Sequence, residues 1–218
     1  KEKNFRLMEE FQSKAGRLLA FAHKALDGYH GEAQEDVEQD LIYDGFVVIS
    51  DPLSPDVYES IRNCQSAGIE VKMLTGDNIR TARAIANELH MLDENHIAVE
   101  ASDIEKMTDE ELKEALKKIQ VIARSTPLVK MRVVKLLKEQ GNVVAVTGDG
   151  INDAPAIKHA DVGIAMGIAG TDVTKEASDM VLLDDSFSTI IKAVQWGRGI
   201  YENFKRFIQF QLTVNVSS

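Results

Sequence analysis

Two aspartates and several small residues occupy one short stretch of the chain, residues 143–155. Asp149 and Asp153 lie on either side of a turn that also contains Gly150. Carboxylate oxygens beside unpaired backbone N–H groups suit Mg²⁺ together with a phosphate group, whereas a soft metal prefers sulfur or nitrogen ligands. The stretch therefore predicts a site for a magnesium ion and a phosphorylated ligand.

A second turn repeats part of this pattern. Residues 72–77 and 145–149 are both short, mostly apolar runs that end in Thr-Gly-Asp. Right-handed crossovers between parallel strands would bring the two turns to the same edge of one sheet. In the first turn, the Thr75 hydroxyl and the Gly76 backbone N–H can hold phosphate oxygens, because glycine allows the backbone to approach a ligand closely. Asp77 completes this turn and belongs to the candidate site.

Lys130 is a cation in an unusual position. It lies in the first turn of the helix that Thr126 and Pro127 are expected to begin. The helix macrodipole is positive at that end, so a lysine there is not favoured unless an anion outside the helix holds it. From the residues alone, a solvated side chain is the simpler interpretation.

Strand and helix signals alternate along most of the chain, which predicts an α/β fold with a parallel sheet covered by helices on both faces. Residues 143–146 are four β-favouring apolar residues in a row. Such a run is typical of a strand buried on both faces. Cys64 falls on the apolar face of a helix, where we expect it to pack in the core. The six predicted strands are at residues 46–49, 69–74, 121–123, 143–146, 162–165 and 180–183.

Helix boundaries are indicated by N-cap residues, first-turn prolines and terminal glycines. Thr108 and Glu111 form a capping-box pattern, which predicts a helix running to about Lys118. A long C-terminal helix is predicted from about Phe187. The other predicted boundaries are an N-cap at Ser54 before Pro55, an end at Gly68, a start at Thr126-Pro127, an end at Gly141 and a first turn at Pro155.

The composition is that of a folded globular chain, since 44% of the residues are apolar and 28% are charged. A formal net charge of −10 argues against a nucleic-acid partner. The single cysteine excludes an intrachain disulfide and fits a reducing compartment. The chain opens on Lys1 without a secretory signal pattern, so we expect it to begin within a longer protein.

The C-terminal end carries a basic pair followed by a mostly apolar run, at residues 204–214. Lysine and arginine beside an apolar segment are the expected cytoplasmic flank of a membrane span. The run is shorter than the roughly 18 apolar residues that a complete transmembrane helix needs. Two interpretations stay open, namely the start of a membrane helix and an amphipathic helix packed on the domain.

Residues 147–153 read Thr-Gly-Asp-Gly-Ile-Asn-Asp and resemble the hinge motif of P-type cation-transporting ATPases. The heptapeptide alone would be weak support, because Asp-Gly is a common turn dipeptide. The resemblance implies a haloacid-dehalogenase-like fold of the Rossmann type, with ATP and Mg²⁺ as cofactors. It continues in the family's order through residues 154–158, 163–167 and 181–185.

The resemblance assigns roles to single residues of the candidate site. Asp149 matches the Mg²⁺ ligand of the pumps, and Asn152 and Asp153 match supporting and hinge groups beside it. Residues 124–132 resemble the pump segment whose lysine contacts the phosphoryl group. Lys130 is the matching lysine, so the resemblance favours a phosphate contact over a solvated side chain.

Two further residues are candidates for nucleotide binding by resemblance alone. Residues 15–22 are similar to the last strand of the pumps' nucleotide-binding domain, where an arginine touches nucleotide phosphates. Arg17 is the matching residue, and a solvated arginine beside a strand is the alternative. Asp51, followed by proline, resembles the hinge between the nucleotide and phosphorylation domains. The second proline and the arginine that often follow in the family are absent here.

The tail carries the part of the resemblance that concerns the transported ion. Residues 199–203 and 207–215 look like the stalk and the start of the fifth membrane helix in calcium pumps, the plasma-membrane type being the nearest. Asn215 matches a position that offers a side-chain oxygen to the ion, and Ser218 stands where the two-ion reticulum pumps have a glutamate. The implied domains are the end of a nucleotide-binding domain at 1–41, a phosphorylation domain at 42–198, and a stalk with the start of a membrane helix at 199–218.

One family motif does not occur in the chain. The pumps form an aspartyl-phosphate on an Asp-Lys-Thr-Gly-Thr segment, which is missing from these residues. The resemblance therefore implies a fragment of an integral membrane pump, with this region cytoplasmic and with calcium as the transported ion that the tail favours. The fragment would supply the Mg²⁺ and phosphate contacts without the nucleophile and would be inactive alone. The alternatives are a soluble phosphohydrolase of the same fold and a non-catalytic nucleotide- or metal-binding module.

Overall fold

The computed structural model describes residues 11, 17–25, 28, 38–49 and 53–217. Its strands form an antiparallel pair, β1–β2, and two parallel sheets of three strands each. We call β3-β5-β4 the first parallel sheet and β6-β7-β8 the second parallel sheet. The strands of the described residues are β1 (Arg17–His23), β2 (Ile42–Ile49), β3 (Met73–Leu74), β4 (Ile97–Glu100), β5 (Ile119–Ala123), β6 (Ala145–Gly148), β7 (Val162–Met166) and β8 (Met180–Leu182).

Helices alternate with the strands of both parallel sheets, so the α/β fold class predicted from the sequence is confirmed. The capping box of Thr108 and Glu111 forms, with both hydrogen bonds present. Within the described residues the helices are α1 (Pro55–Ser66), α2 (Ile79–Glu88), α3 (Ala101–Ile104), α4 (Asp109–Ala115), α5 (Pro127–Glu139), α6 (Ala154–His159), α7 (Asp172–Ala177) and α8 (Phe187–Ser217), with a single 3₁₀ turn at Ile151–Asp153.

β5 is the central strand of the first parallel sheet, and all five of its residues are buried. Ile122 packs with α3, α4 and α5 on one face, and Val121 and Ala123 pack with α1 and α2 on the other. Successive side chains of a strand point to opposite faces, so a strand covered on both sides favours an apolar run such as residues 121–123. Cys64 of α1 is buried as predicted, and burial raises the pKa of its thiol.

The strand predicted at residues 143–146 lies two residues further on and is not buried on both faces. In β6 the residues are alternately exposed and half-buried. Val143, which precedes the strand, is 84% exposed. β6 pairs only with β7 among the described strands, so it is an edge strand of the second parallel sheet. An apolar run does not reveal whether a strand is central or at an edge, which is why the prediction of double burial was wrong.

Several other element predictions need correction. The strand at residues 46–49 lies in β2 and pairs antiparallel with β1, so this pairing spans the predicted boundary at 41/42. Of residues 69–74, only the last two pair with β5. The strand β4 was not predicted. Ser54 occupies the N-cap position of α1, but its side chain accepts no cap hydrogen bond and its hydroxyl donates to Asp56.

The helix predicted to run to about Lys118 ends three residues earlier, at Ala115. After it the backbone makes tighter bonds, since the Lys117 N–H donates to the Glu114 carbonyl and the Lys118 N–H to the Ala115 carbonyl. This tighter turn leads the chain directly into β5, which begins at Ile119.

Aspartates placed just before the strands of the second parallel sheet tie each strand to its neighbour. The Val144 N–H donates to the Asp161 carboxylate at 2.9 Å, and the Gly163 N–H donates to the Asp179 carboxylate at 2.8 Å. Lys138 of α5 contacts the other oxygen of Asp161 at 3.0 Å. The backbone N–H of Val144, followed by the Lys138 ammonium, lowers the pKa of Asp161. These carboxylates satisfy N–H groups that the strand ladder leaves unpaired.

The Lys72 ammonium lies at the end of the first parallel sheet where β5 begins. Its ammonium donates to the carbonyls of Leu116 and Ile119, at 2.8 and 2.7 Å, and to the Gln120 side chain at 3.2 Å. The Lys72 side chain is only 10% exposed. A shielded cation thus bonds the carbonyls where the chain turns from α4 into β5.

The long helix α8 is joined to both parallel sheets at its start. Phe187 packs against the cluster on the α1–α2 side of the first parallel sheet and against the cluster of the second. Further along, Arg198 donates to the Ala67 carbonyl after α1, at 3.0 Å. Residues 199–216 of α8 are exposed. Within residues 53–217, where the helices lie, none combines the length and the apolar character that crossing a membrane requires.

We expect Lys72→Met to lower the free energy of unfolding by about 2–4 kcal/mol, because it removes the charged donor shared by two shielded carbonyls and the ion pair with Glu70. Methionine keeps the length of the aliphatic stem, so packing is little changed. The measurement is urea unfolding at pH 7. Lys117→Met is the matched control, since among the described residues that ammonium contacts exposed Glu114 alone, and we expect about 0.5 kcal/mol or less. Equal losses in the two variants would contradict the role of Lys72.

The lowered pKa of Asp161 predicts a pH-dependent contribution to stability. Its ionised form is favoured in the folded chain, so the stabilisation is complete above the unfolded-state pKa of about 3.9 and is lost as pH falls through the folded-state pKa. We expect Asp161→Asn to have a lower melting temperature than the wild-type chain at pH 7, with the difference shrinking below about pH 4. Asp103→Asn, on the exposed surface of α3, is the control. A difference that persists unchanged at low pH would refute this assignment.

Candidate functional site

The Thr75–Asp77 turn follows β3 and is fixed by backbone hydrogen bonds to the connection between β5 and α5. The Ser125 N–H donates to the Thr75 carbonyl at 2.8 Å, and the Arg124 N–H donates to the Asp77 carbonyl at 2.9 Å. Within the turn, the Asp77 N–H donates to the Thr75 hydroxyl oxygen at 3.1 Å. The Gly76 N–H has no acceptor among the described residues and is exposed. The turn therefore presents one free backbone donor on a fixed frame.

Lys130 is held by an anion outside its helix, as the helix macrodipole argument required. Thr126 caps α5 by accepting from the Val129 N–H, and Lys130 lies in the first turn. Its ammonium donates to Asp153 at 2.6 Å, and both side chains are 14% exposed. The solvated interpretation of Lys130 is therefore wrong. A lysine ammonium has three N–H donors, and this is its single side-chain bond within the described residues.

Asp153 packs directly on the turn that follows β6. A Cβ atom on Gly148 would lie 2.4 Å from the Asp153 Cβ, so only glycine allows this approach. The second carboxylate oxygen of Asp153 accepts from the Gly150 N–H at 3.4 Å. One aspartate thus joins the start of α5 to the Gly148–Gly150 turn.

Asp149 differs from Asp153 in that its carboxylate is left without a partner in the described residues. Its backbone carbonyl accepts from the Thr171 N–H at 3.0 Å and from the Thr174 hydroxyl at 3.3 Å. The Asp149 side chain is exposed and makes no hydrogen bond to a described residue. Asn152 is also exposed. The backbone of Asp149 is thus anchored while its carboxylate is available to a ligand.

The donor set fits Mg²⁺ better than a metal that needs an all-protein cage. In the part of the chain that the structure describes, no three or more histidine, cysteine, aspartate or glutamate side chains group together as metal ligands. Asp153 is occupied by Lys130, which leaves Asp149 as the free carboxylate. Mg²⁺ commonly binds through one or two carboxylates and completes its shell with waters and phosphate oxygens. Asp149 could hold such an ion.

The predicted site residues divide into a connected group and an outlying group. The contacts link the Thr75 turn to the start of α5, Lys130 to Asp153, and Asp153 to the turn that contains Asp149. That Thr75, Lys130 and Asp149 surround one phosphate-sized space stays a prediction.

Arg17 lies in β1, but its side chain is outside the described part of the chain, as are Asp51 and Ser218. Asn215 is exposed near the end of α8.

Sequence reasoning assigned no role to Asp185, whose carboxylate accepts hydrogen bonds from the backbone N–H groups of residues 167–169. Burial alone would raise the pKa of Asp185, but these three donors outweigh it and the pKa is lowered. Its position soon after β8, at the same kind of strand end as Thr75 and Asp149, is the signal that could have found it.

Two family models match the chain, both described as haloacid dehalogenase-like hydrolase. One covers residues 3–161 and the other residues 130–194. The first spans most of the chain, and the second contains the Lys130–Asp153 pair and the Asp149 turn.

Calcium-transporting ATPases of the plasma-membrane type are among the chain's curated relatives. Calcium-transporting ATPase 3 of Oryza sativa subsp. japonica is 48% identical over 211 residues, which is 96% of this chain and 20% of that protein. Calcium-transporting ATPase 4 of Arabidopsis thaliana is 47% identical over 210 residues, again 96% of this chain and 20% of the relative. The chain thus spans about a fifth of the length of these relatives.

The shielded Lys130–Asp153 pair predicts a measurable coupling. Removing one partner leaves a poorly solvated charge, so we expect Lys130→Met and Asp153→Ala each to destabilise the fold, with the double variant less unstable than the sum. The coupling energy from urea unfolding should be about 1–3 kcal/mol. The more exposed pair Lys113–Glu139, treated in the same way, should give a smaller coupling energy because solvent screens it. Additive effects at Lys130 and Asp153 would be inconsistent with a structural ion pair.

Proposed function

The chain belongs to the haloacid dehalogenase-like hydrolase family, and on that premise we propose that it is the phosphorylation domain of an ATP-driven calcium pump that works through an aspartyl-phosphate. One observation carries the proposal. The free carboxylate of Asp149 lies on the same turn that Asp153 joins to the shielded ammonium of Lys130. A lone carboxylate and a lysine in this arrangement suit a metal-bound phosphate. The names of the plasma-membrane relatives support calcium as the transported ion.

Phosphoryl transfer needs positioning and charge neutralisation more than covalent chemistry from the protein. Lys130 has two N–H donors that Asp153 does not use, so it can contact a phosphoryl oxygen without giving up its ion pair. The Gly76 N–H supplies a further donor, and the Thr75 hydroxyl, which donates to the Asp77 carboxylate at 3.1 Å in this structure, would have to turn from Asp77 to reach the phosphate. When bound, Mg²⁺ neutralises phosphate charge, and Asp149 would hold it. Asn152 and Asp77 border these groups and complete the proposed set.

The nucleophilic aspartate would come from a segment outside this chain. In the transfer, its carboxylate attacks the terminal phosphorus of ATP, the bond to the bridging oxygen breaks, and ADP leaves; water later releases inorganic phosphate. β3 and β6 are each edge strands, with one described neighbour apiece. A further parallel strand could therefore pair with both and bring an aspartate to the ends where Thr75 and Asp149 lie.

We further propose the three parts indicated by the sequence: 1–41 as the end of a nucleotide-binding domain, 42–198 as the phosphorylation domain, and 199–218 as a stalk with the start of a membrane helix. Among the described strands β2 pairs with β1 and with neither parallel sheet, so residues 42–49 lie with the first part in the structure. Arg17 and Asp51 would contact ATP. Asn215 would offer an oxygen to the calcium ion, and the intact protein would be an integral membrane protein with this region cytoplasmic.

The test uses the full-length protein in sealed membrane vesicles, with Ca²⁺-dependent ATP hydrolysis and acid-stable phosphoenzyme as the two readouts. We expect Asp149→Asn to reduce phosphoenzyme formation by about 100-fold or more, because losing even a residue that only supports a metal ligand costs about 10- to 100-fold. Asp103→Asn, a surface aspartate remote from the site in sequence, is the matched control and should behave like wild type.

The other outcomes separate the alternatives. Phosphoenzyme that forms without Ca²⁺ dependence would retain the pump and reject calcium. Hydrolysis of small phosphate esters by a protein without membrane spans would favour a soluble phosphohydrolase. Unaltered phosphoenzyme in Asp149→Asn, or none in the wild-type protein, would overturn the proposal and favour a non-catalytic binding module.

A further inference from the structure

The turn between β7 and α7 is held by strand β8 and by a carboxylate, since the Gly167 N–H donates to the Leu182 carbonyl at 2.7 Å as well as to Asp185. Asp185 accepts from the N–H groups of Gly167 and Ile168 through Oδ1, at 2.6 and 3.1 Å, and from the Ala169 N–H through Oδ2, at 2.7 Å. Three successive backbone donors converging on one side chain form an anion-binding nest that the chain fills itself. Both oxygens of Asp185 are therefore engaged, and the turn's conformation depends on them.

Close packing leaves this turn little freedom. A Cβ atom on Gly167 would lie 2.3 Å from the Leu182 carbonyl oxygen, and one on Gly170 would lie 1.9 Å from the Met166 carbonyl oxygen. Asp185 itself has a φ of +49°, a left-handed conformation that is costly for a residue other than glycine. Such strain persists where the surroundings determine the geometry. Here the three backbone bonds to Asp185 supply that determination.

The C-terminal end of this turn, at Thr171, is hydrogen-bonded to the backbone of Asp149. The Thr171 N–H and the Thr174 hydroxyl both donate to the Asp149 carbonyl, at 3.0 and 3.3 Å. The two threonine hydroxyls are 2.7 Å apart, and Thr174 is fully buried. A continuous series of short contacts therefore runs from the Asp185 carboxylate to the residue that carries the free carboxylate.

We propose that Asp185 is a positioning residue, which fixes the Asp149 carboxylate for its ligand through the turn at residues 167–171. The proposal rests on the proposed function only in taking that ligand to be Mg²⁺. Asp185 does not touch the ion; it sets the backbone from which Asp149 reaches it. Residues that orient a metal ligand in this way commonly change metal affinity by about 10- to 100-fold when they are altered.

The adjacent aspartate offers a matched control. In Asp185→Asn, one oxygen becomes an NH₂ group, which must face a backbone N–H whichever way the amide is turned. Asp184 accepts from the Ser186 N–H and the Thr189 hydroxyl. In Asp184→Asn the amide oxygen can still accept from Ser186 while the NH₂ group donates to Thr189, so both contacts survive. The same substitution at neighbouring positions thus breaks one network and keeps the other.

The experiment is an NMR titration of the 218-residue chain with MgCl₂, following the amide signals of Asp149, Gly150 and Thr171. We expect Asp185→Asn to weaken Mg²⁺ binding by about tenfold or more, with Asp184→Asn equal to wild type. Thr174→Val removes the hydroxyl bonds to Asp149 and to Thr171 at the far end of the turn and should weaken binding in the same direction. It serves as the second test if Asp185→Asn does not fold, which circular dichroism would reveal.

Three results distinguish the failures. If Asp149→Asn abolishes the titration while folded Asp185→Asn and Thr174→Val bind like wild type, the positioning role is overturned and the Mg²⁺ role of Asp149 stands. If Asp149→Asn titrates like wild type, or if the wild-type signals do not move, both ideas fall. Equal weakening by Asp184→Asn and Asp185→Asn would indicate general loss of structure and would also overturn the positioning role.

Discussion

The ion pair between Lys130 and Asp153 is the constraint on which the rest of the site depends. α5 packs its apolar side, with Val129 and Val133, against the first parallel sheet, while Lys130 on the same helix reaches the turn after β6 in the second. A charge pair shielded from water gains attraction but loses hydration, so its net stabilisation is small. Its effect is geometric. It fixes the start of α5 against the Gly148 turn and so sets the distance between the two sheets at the site.

Around this pair, the two turns of the site are anchored by their backbone carbonyls. Other groups of the same turns are left to bind a ligand. The Thr75 turn is bonded through its carbonyls to the start of α5, and Asp149 is bonded through its carbonyl to Thr171 and Thr174. Backbone groups thus anchor the two turns, while the Gly76 N–H and the Asp149 carboxylate have no partner among the residues that the structure describes. A phosphate site needs donors and charges that are fixed before the ligand arrives, and this arrangement supplies them without using the groups that would bind.

Local signals explain which parts of the fold could be predicted from the sequence. The capping box at Thr108 and the Thr126-Pro127 start lie within one turn of the helices they begin, so short-range chemistry determines them. Whether the apolar run at 143–146 is central or at an edge depends on strands far away in sequence, and the prediction failed there. The same holds for Asp185, because its three donors lie 16 to 18 residues away. The Lys130 partner, 23 residues away, was expected only as an unnamed anion.

The attachment of α8 has a mechanical consequence. Phe187 is wedged between the two apolar clusters, so any slight change in the angle between the sheets must tilt the helix that starts there. A helix of 31 residues is about 46 Å long. A tilt of roughly 5° at its root would carry the far tip through about 4 Å, on simple lever geometry. Small displacements at the phosphate turns would therefore produce a displacement of several ångströms at the C-terminal end of α8.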